Sequence, residues 1–148
     1  MSTTTTTNTT TYASAASHAD LGRLILRVTL GVLILLHGIA KLRGGIGFIE
    51  GVVTAHGLPA AFAYLVYVGE VLAPVLLIIG LWTRAAALVV LGNMLVAIAL
   101  VHMGDLGRLN ETGGWAIELQ AMYIAAAATV ALLGAGRYSV GGAAGKWN

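Results

Sequence analysis

The chain has no cysteine, two prolines and two phenylalanines in 148 residues, and only 9% of it is charged. Without thiols it has no disulfide, thiol relay, iron–sulfur cluster or thiolate metal site. Any electron transfer would therefore need a quinone, haem, flavin or partner protein. Charge is scarce in both signs: eight Lys and Arg stand against six Asp and Glu, a net charge of +2. The cations are scattered along the chain, so they form no patch for nucleic acid. Soluble domains are about 25% charged, and hydrophobic residues fill 58% of this sequence, more apolar surface than a domain of this size could hide from water. The expected class is all-α: an integral membrane four-helix transmembrane bundle in contact with the lipid bilayer.

Residues 1–20 are a Thr/Ala/Ser tract without an apolar face, expected to be a disordered tail; no apolar stretch precedes its small-residue cluster, so it is not a secretory signal. Four apolar stretches follow, at 21–42, 60–81, 84–103 and 115–134. Each approaches the ~20 residues needed to cross ~30 Å of hydrocarbon. Arg23 and Arg27 open the first stretch and are expected to snorkel towards head groups. Only Trp82 and Thr83 separate the second stretch from the third, a tight helical hairpin. Residues 43–59 mix Ile46, Phe48, Ile49, Val52 and Val53 with polar residues, as an interfacial helix does. The bundle domain is expected at 21–140, with a C-terminal tail at 141–148.

Four spans put both termini on one side, with Arg23, Arg27, Arg84, Arg137 and Lys146; Lys41, Arg43 and Arg108 fall on the other. The bias favours cytoplasmic termini.

Glu70 lies mid-way along the second span, and Pro74 follows four residues later. An ionisable group at mid-membrane costs about 2.5–3.5 kcal/mol on insertion scales, so its default reading is functional. Pro74 has no N–H, and the Glu70 carbonyl loses its helical partner. Antiparallel alternation gathers further polar residues towards the same membrane face: His37 and Lys41 on span one, His102 on span three, Trp115 and Glu118 on span four. Tyr67 shares a helix face with Glu70 and Pro74. Each also has a plainer reading. Glu70 would be a neutral structural carboxyl, His37 a helix-end histidine, and His102, Lys41 and Glu118 head-group residues. Trp82 and Trp115 would be interfacial indoles, and Asn93 a helix cross-link. Gly31 and Gly38, seven apart, permit close helix approach, and Gly69 leaves room for a neighbour beside Glu70.

His37-Gly38 before Lys41-Leu42, then Gly57-Leu58-Pro59, then Glu70 and Gly80-Leu81-Trp82-Thr83-Arg84 occur in an order that resembles the DoxX family. Val101-His102, Gly114-Trp115 with Glu118, and 134–139 (Gly-Ala-Gly-Arg-Tyr-Ser) complete the order across about 21–140. The resemblance implies a small four-helix protein of the bacterial inner membrane. It links some relatives to thiosulfate:quinone oxidoreduction and others to oxidative-stress assemblies. It transfers no agreed catalytic residues, and Val140 stands where many relatives have an acid.

Three functions compete. In the leading one the chain is a redox-associated subunit holding a quinone near Glu70, His37 and Tyr67, with Lys41, His102, Trp115 and Glu118 as further ligand contacts. A buried carboxyl there would exchange protons with an imidazole nearer the surface, and electrons would come from a soluble oxidoreductase partner. The others are a non-catalytic scaffold for such an enzyme, alone or as a homo-oligomer, and a small transporter using the polar funnel. A haem between His37 and His102 is the disfavoured cofactor, and no metal site is expected.

Overall fold

A computed structural model of the chain describes residues 5–142 and 144–148, with side chains from residue 16 onwards. Among these residues the architecture is all helical. Helix α1 is Thr5–Gly44, α2 Gly47–Ala55, α3 Ala60–Ile79, α4 Thr83–Asp105 and α5 Glu118–Leu133. Helices α1, α3 and α4 are long and apolar enough to cross a membrane. Helix α5 is apolar but has 16 residues, a rise of about 24 Å at ~1.5 Å per residue.

The bundle is stitched by small residues. Its core joins Leu30 and Ile34 of α1, Ala73 and Leu77 of α3, Ala86, Ala87 and Val90 of α4, and Ala127 and Val130 of α5. Alanines at these crossings let backbones approach, which is how helices associate where lipid removes the hydrophobic drive between them. Large apolar side chains point outwards instead: Ile25, Leu36, Phe62, Leu72, Leu95 and Leu132 are all exposed. Helices that are apolar all round and leave so many large side chains on their outer faces belong in a bilayer. The chain is a membrane-embedded protein.

Gly38 shows how close the contact is. A Cβ added there would overlap the Glu70 carbonyl oxygen, and one on Gly31 would meet the Pro74 oxygen at 2.9 Å. The carbonyl released by Pro74 thus lies under the backbone of α1, in reach of weak C–H···O bonding. A side chain at Gly69 would strike Asn93 of α4 at 2.5 Å, so that glycine admits the cross-linking amide. The hairpin between α3 and α4 turns on Gly80, with φ of 71°, and Trp82, with φ of 47°. The Gly80 and Leu81 N–H groups both donate to the Leu76 oxygen, at 2.9 and 3.0 Å, a left-handed helix stop that favours glycine.

Four expectations about boundaries and placement change. First, α1 is helical from Thr5, whereas a tail was expected to Asp20. Once the span nucleates a helix, each added residue gains a hydrogen bond at little cost. Met1–Thr4, also in the expected tail, lie outside the described residues. Second, α5 starts at Glu118 rather than near Trp115. Asn110 explains this: its side-chain oxygen accepts N–H bonds from Thr112 (3.1 Å) and Gly114 (2.8 Å). With the Leu109–Trp115 bridge, it folds the loop into a small turn that takes the residues before α5. Third, the expected C-terminal tail is docked at its described residues, 141–142 and 144–148. Gly141 N–H donates to the Gly80 oxygen (3.0 Å) and Arg84 N–H to the Trp147 oxygen (2.9 Å). Asn148 is buried and accepts from the Thr83 hydroxyl at 3.0 Å.

Fourth, Arg27 does not snorkel. It is 1% exposed. Its guanidinium donates to the carbonyls of Leu77 (2.6 Å), Ile78 (2.7 Å) and Ala135 (3.3 Å), and to that of Tyr138. The last carbonyls of a helix have no intrahelical donor and carry the negative end of its dipole. Arg27 supplies the donors and the positive charge together. A short helix is found in the expected segment, as α2: Ile46 and Val53 pack on Ala63 of α3 while Phe48 is exposed.

Candidate functional site

On the side opposite Arg27, a cavity of about 210 Å³ opens between α1, α3, α4 and α5. Ile34, Met94, Ala97 and Leu119 form its apolar walls, and its polar lining is His37, Lys41, Glu70, His102, Gln120 and Tyr123. Two of these groups stand on π-helical turns, Glu70 in Val68–Leu72 and His102 in Ile98–His102. A π turn widens a helix by one residue and is frequent at functional sites. In α3 the turn directly precedes Pro74, whose missing N–H already breaks the α-helical ladder.

Glu70 is 7% exposed. Its Oε2 receives the Lys41 ammonium at 2.5 Å, and its Oε1 receives the Asn93 amide at 3.5 Å. The buried carboxyl therefore has a cation and an amide, where His37 had been the expected neighbour. His37 meets Tyr123 instead, edge to face, with ring centroids 6.2 Å apart. Lys41 is held from behind, since the Tyr67 hydroxyl donates to the Lys41 carbonyl at 3.4 Å. His102 sits between Asp105 Oδ2, 3.1 Å from Nδ1, and Gln120 Nε2, 3.1 Å from Nε2.

Of the seven residues singled out from the sequence, the fold brings four to this cavity: His37, Lys41, Glu70 and His102. Tyr67 supports Lys41 from outside it. Trp115 and Glu118 are exposed and stand apart from it; the Trp115 indole donates to the Leu106 carbonyl at 2.8 Å. Two lining residues escaped the sequence reading. Gln120 and Tyr123, three apart and so on one helix face, are polar side chains in an otherwise apolar stretch, and that was the available signal. Among the described residues no group of three or more His, Cys, Asp or Glu is placed to hold a metal ion.

The arrangement can hold a small, largely apolar molecule with polar oxygens: one ammonium, an amide, a phenol and two imidazoles supply donors within apolar walls. The DoxX family model matches residues 22–103, which takes in α2, α3, nearly all of α4 and the membrane part of α1, and stops before α5. That range is narrower than the 21–140 over which the motifs resemble the family. The chain is similar to a Bacillus subtilis (strain 168) protein named "Putative oxidoreductase CatD", 32% identical over 84 residues, 57% of this chain and 62% of that protein. The similarity thus spans less than two thirds of CatD. No solved structure matches the chain significantly. The family-model match over more than half the sequence places the chain in the DoxX family.

Proposed function

We propose that the protein is a redox-associated subunit of the bacterial inner membrane whose cavity takes the head group of a quinone. The observation that carries this reading is the convergence of Lys41, Glu70, His37, His102, Gln120 and Tyr123 on one apolar-walled cavity. The name carried by CatD agrees with a redox role. In this reading Lys41 donates to one quinone oxygen, Gln120 to the other, and the edge-on pair of His37 and Tyr123 flanks the ring. The chain has no cysteine, and we assign the electrons to a soluble oxidoreductase partner. The termini face the cytoplasm, which turns the cavity outwards. A haem between His37 and His102 is less well supported, because His102 Nε2 would have to leave Gln120 and a porphyrin exceeds the cavity.

The test is a titration of detergent-purified protein with a short-chain benzoquinone, followed by tyrosine and tryptophan fluorescence, beside an organic extract of the untreated protein. We expect saturable quenching in the native protein and binding at least ten-fold weaker in Lys41→Met. Unsaturable quenching that is equal in both proteins overturns the quinone assignment.

A further inference from the structure

We propose that His102, oriented by Asp105, is the proton-exchanging group of the cavity, and that the Gln120 amide turns over as each proton comes and goes. The proposal rests on the reading above for its ligand, but not for its geometry. Asp105 Oδ2 lies 3.1 Å from His102 Nδ1, and Gln120 Nε2 lies 3.1 Å from His102 Nε2. A carboxylate accepts only, so Nδ1 carries the hydrogen. An amide nitrogen donates only, so Nε2 offers its lone pair. With the amide nitrogen on the ring side, this arrangement fits a neutral Nδ1–H imidazole whose basic nitrogen is Nε2.

A proton arriving at Nε2 would set two donors against each other. Gln120 must then rotate its amide so that Oε1 accepts the new Nε2–H. The group it leaves for the cavity changes from a carbonyl to an NH₂. Asp105 meanwhile stabilises the imidazolium through Nδ1–H, as a carboxylate does for a histidine base. The step balances simply: Nε2, on a side chain 29% exposed, takes one proton from a water and returns it to a ligand oxygen that has gained negative charge. No electron moves in it.

The other charged neighbours are accounted for. Arg108 Nη1 lies 3.9 Å from the second Asp105 oxygen. Lys41 and Glu70 pair with each other across the cavity, and His37 and Tyr123 complete its lining. Helix α2, which packs on Ile98–His102, carries Glu50 and His56, the latter 2.9 Å from the Val52 carbonyl through Nδ1. Asp105 is a positioning residue here, since it acts through His102.

The experiment is nitrogen NMR of histidine- and glutamine-labelled full-length protein in lipid nanodiscs, with no ligand added, across pH 5 to 9. Loss of signals in His102→Gln identifies the ring and in Gln120→Leu the amide. The expected result is an Nδ1–H tautomer for His102 at high pH and a Gln120 amide shift that follows His102 protonation with the same midpoint. In Asp105→Ala the ring should move towards the Nε2–H form. An Nε2–H tautomer in the native protein, or a Gln120 amide that ignores the titration, overturns the proposal. Should quinone bind, His102→Gln ought to lower kcat at least ten-fold with KM unchanged; unaltered kcat also counts against it. A protein that shows the NMR behaviour and binds no quinone defeats the functional reading and leaves the proton switch standing.

Discussion

The two ends of this bundle bury charge in opposite ways. At the terminal end, Arg27 is sealed: carbonyls of α3 and of the segment after α5 accept from its guanidinium, and no carboxylate partner is needed. At the loop end, Glu70 is buried too, but its partners are side chains, Lys41 and Asn93, and the pair it forms with Lys41 borders a cavity. Backbone acceptors cannot move away or change charge, so the first arrangement locks the fold. Side-chain partners can be exchanged for a ligand, so the second can work. Burial alone does not distinguish a structural charge from a functional one; what satisfies the charge does.

The hardest test of this contrast is at Arg27. In Arg27→Met the carbonyls lose their donors and the ends of α3 and α5 separate. We expect a loss of about 3–5 kcal/mol, because several buried carbonyls are left without donors at about 1–3 kcal/mol each, read as a large fall in thermal stability and membrane yield. A variant that keeps its melting temperature would mean the carbonyls find other donors and the end is not sealed.

Next comes the close approach that covers the Glu70 carbonyl. Gly38→Ala forces α1 off α3, and overpacking of this kind costs typically 1–3 kcal/mol. Gly22→Ala, on the same helix with nothing within 4 Å of the added carbon, is the control and should stabilise by up to about 1 kcal/mol through helix propensity alone. Equal melting temperatures for both would show that α1 and α3 adjust freely.

The cavity end should respond asymmetrically. Glu70→Gln keeps the shape and can still accept from Lys41, whose side chain is 27% exposed. We expect stability within about 1 kcal/mol of the native protein, as for a retained hydrogen bond. Lys41→Met strands the buried carboxylate and should destabilise more than Glu70→Gln. The reverse order in thermal unfolding would make Lys41, not Glu70, the group in need of a partner.

The smallest effect concerns direction rather than stability. Single cysteines at Ser17 and Thr112, in a chain that has none of its own, should differ in labelling by an impermeant maleimide on intact cells. Thr112 is expected to react and Ser17 not. The opposite pattern would put the sealed end outside and turn the cavity towards the cytoplasm.

Much of the helical layout was legible in the sequence because lipid imposes local rules. An apolar run near 20 residues spans, a proline mid-span frees a carbonyl, and glycines seven apart mark a contact face. Residues 60–81, Pro74 with Glu70, and Gly31 with Gly38 all follow from such rules, and so did His37, Lys41 and His102 as residues near one membrane face. The partners were not legible. Lys41 and Glu70 stand 29 residues apart, and which of His37 or Lys41 reaches the carboxylate depends on how α1 rotates against α3. Gln120 and Tyr123 gain meaning only when α5 docks beside α1 and α4. Arg27 misled for the same reason: nothing local tells an arginine that can reach the interface from one that caps two distant helix ends. What the sequence alone determined was which segments enter the bilayer, because that depends on each segment's own transfer from water. What only the tertiary structure decided was which charges are locked and which remain exchangeable, because that depends on whether the atoms facing them across the bundle are fixed backbone carbonyls or movable side chains.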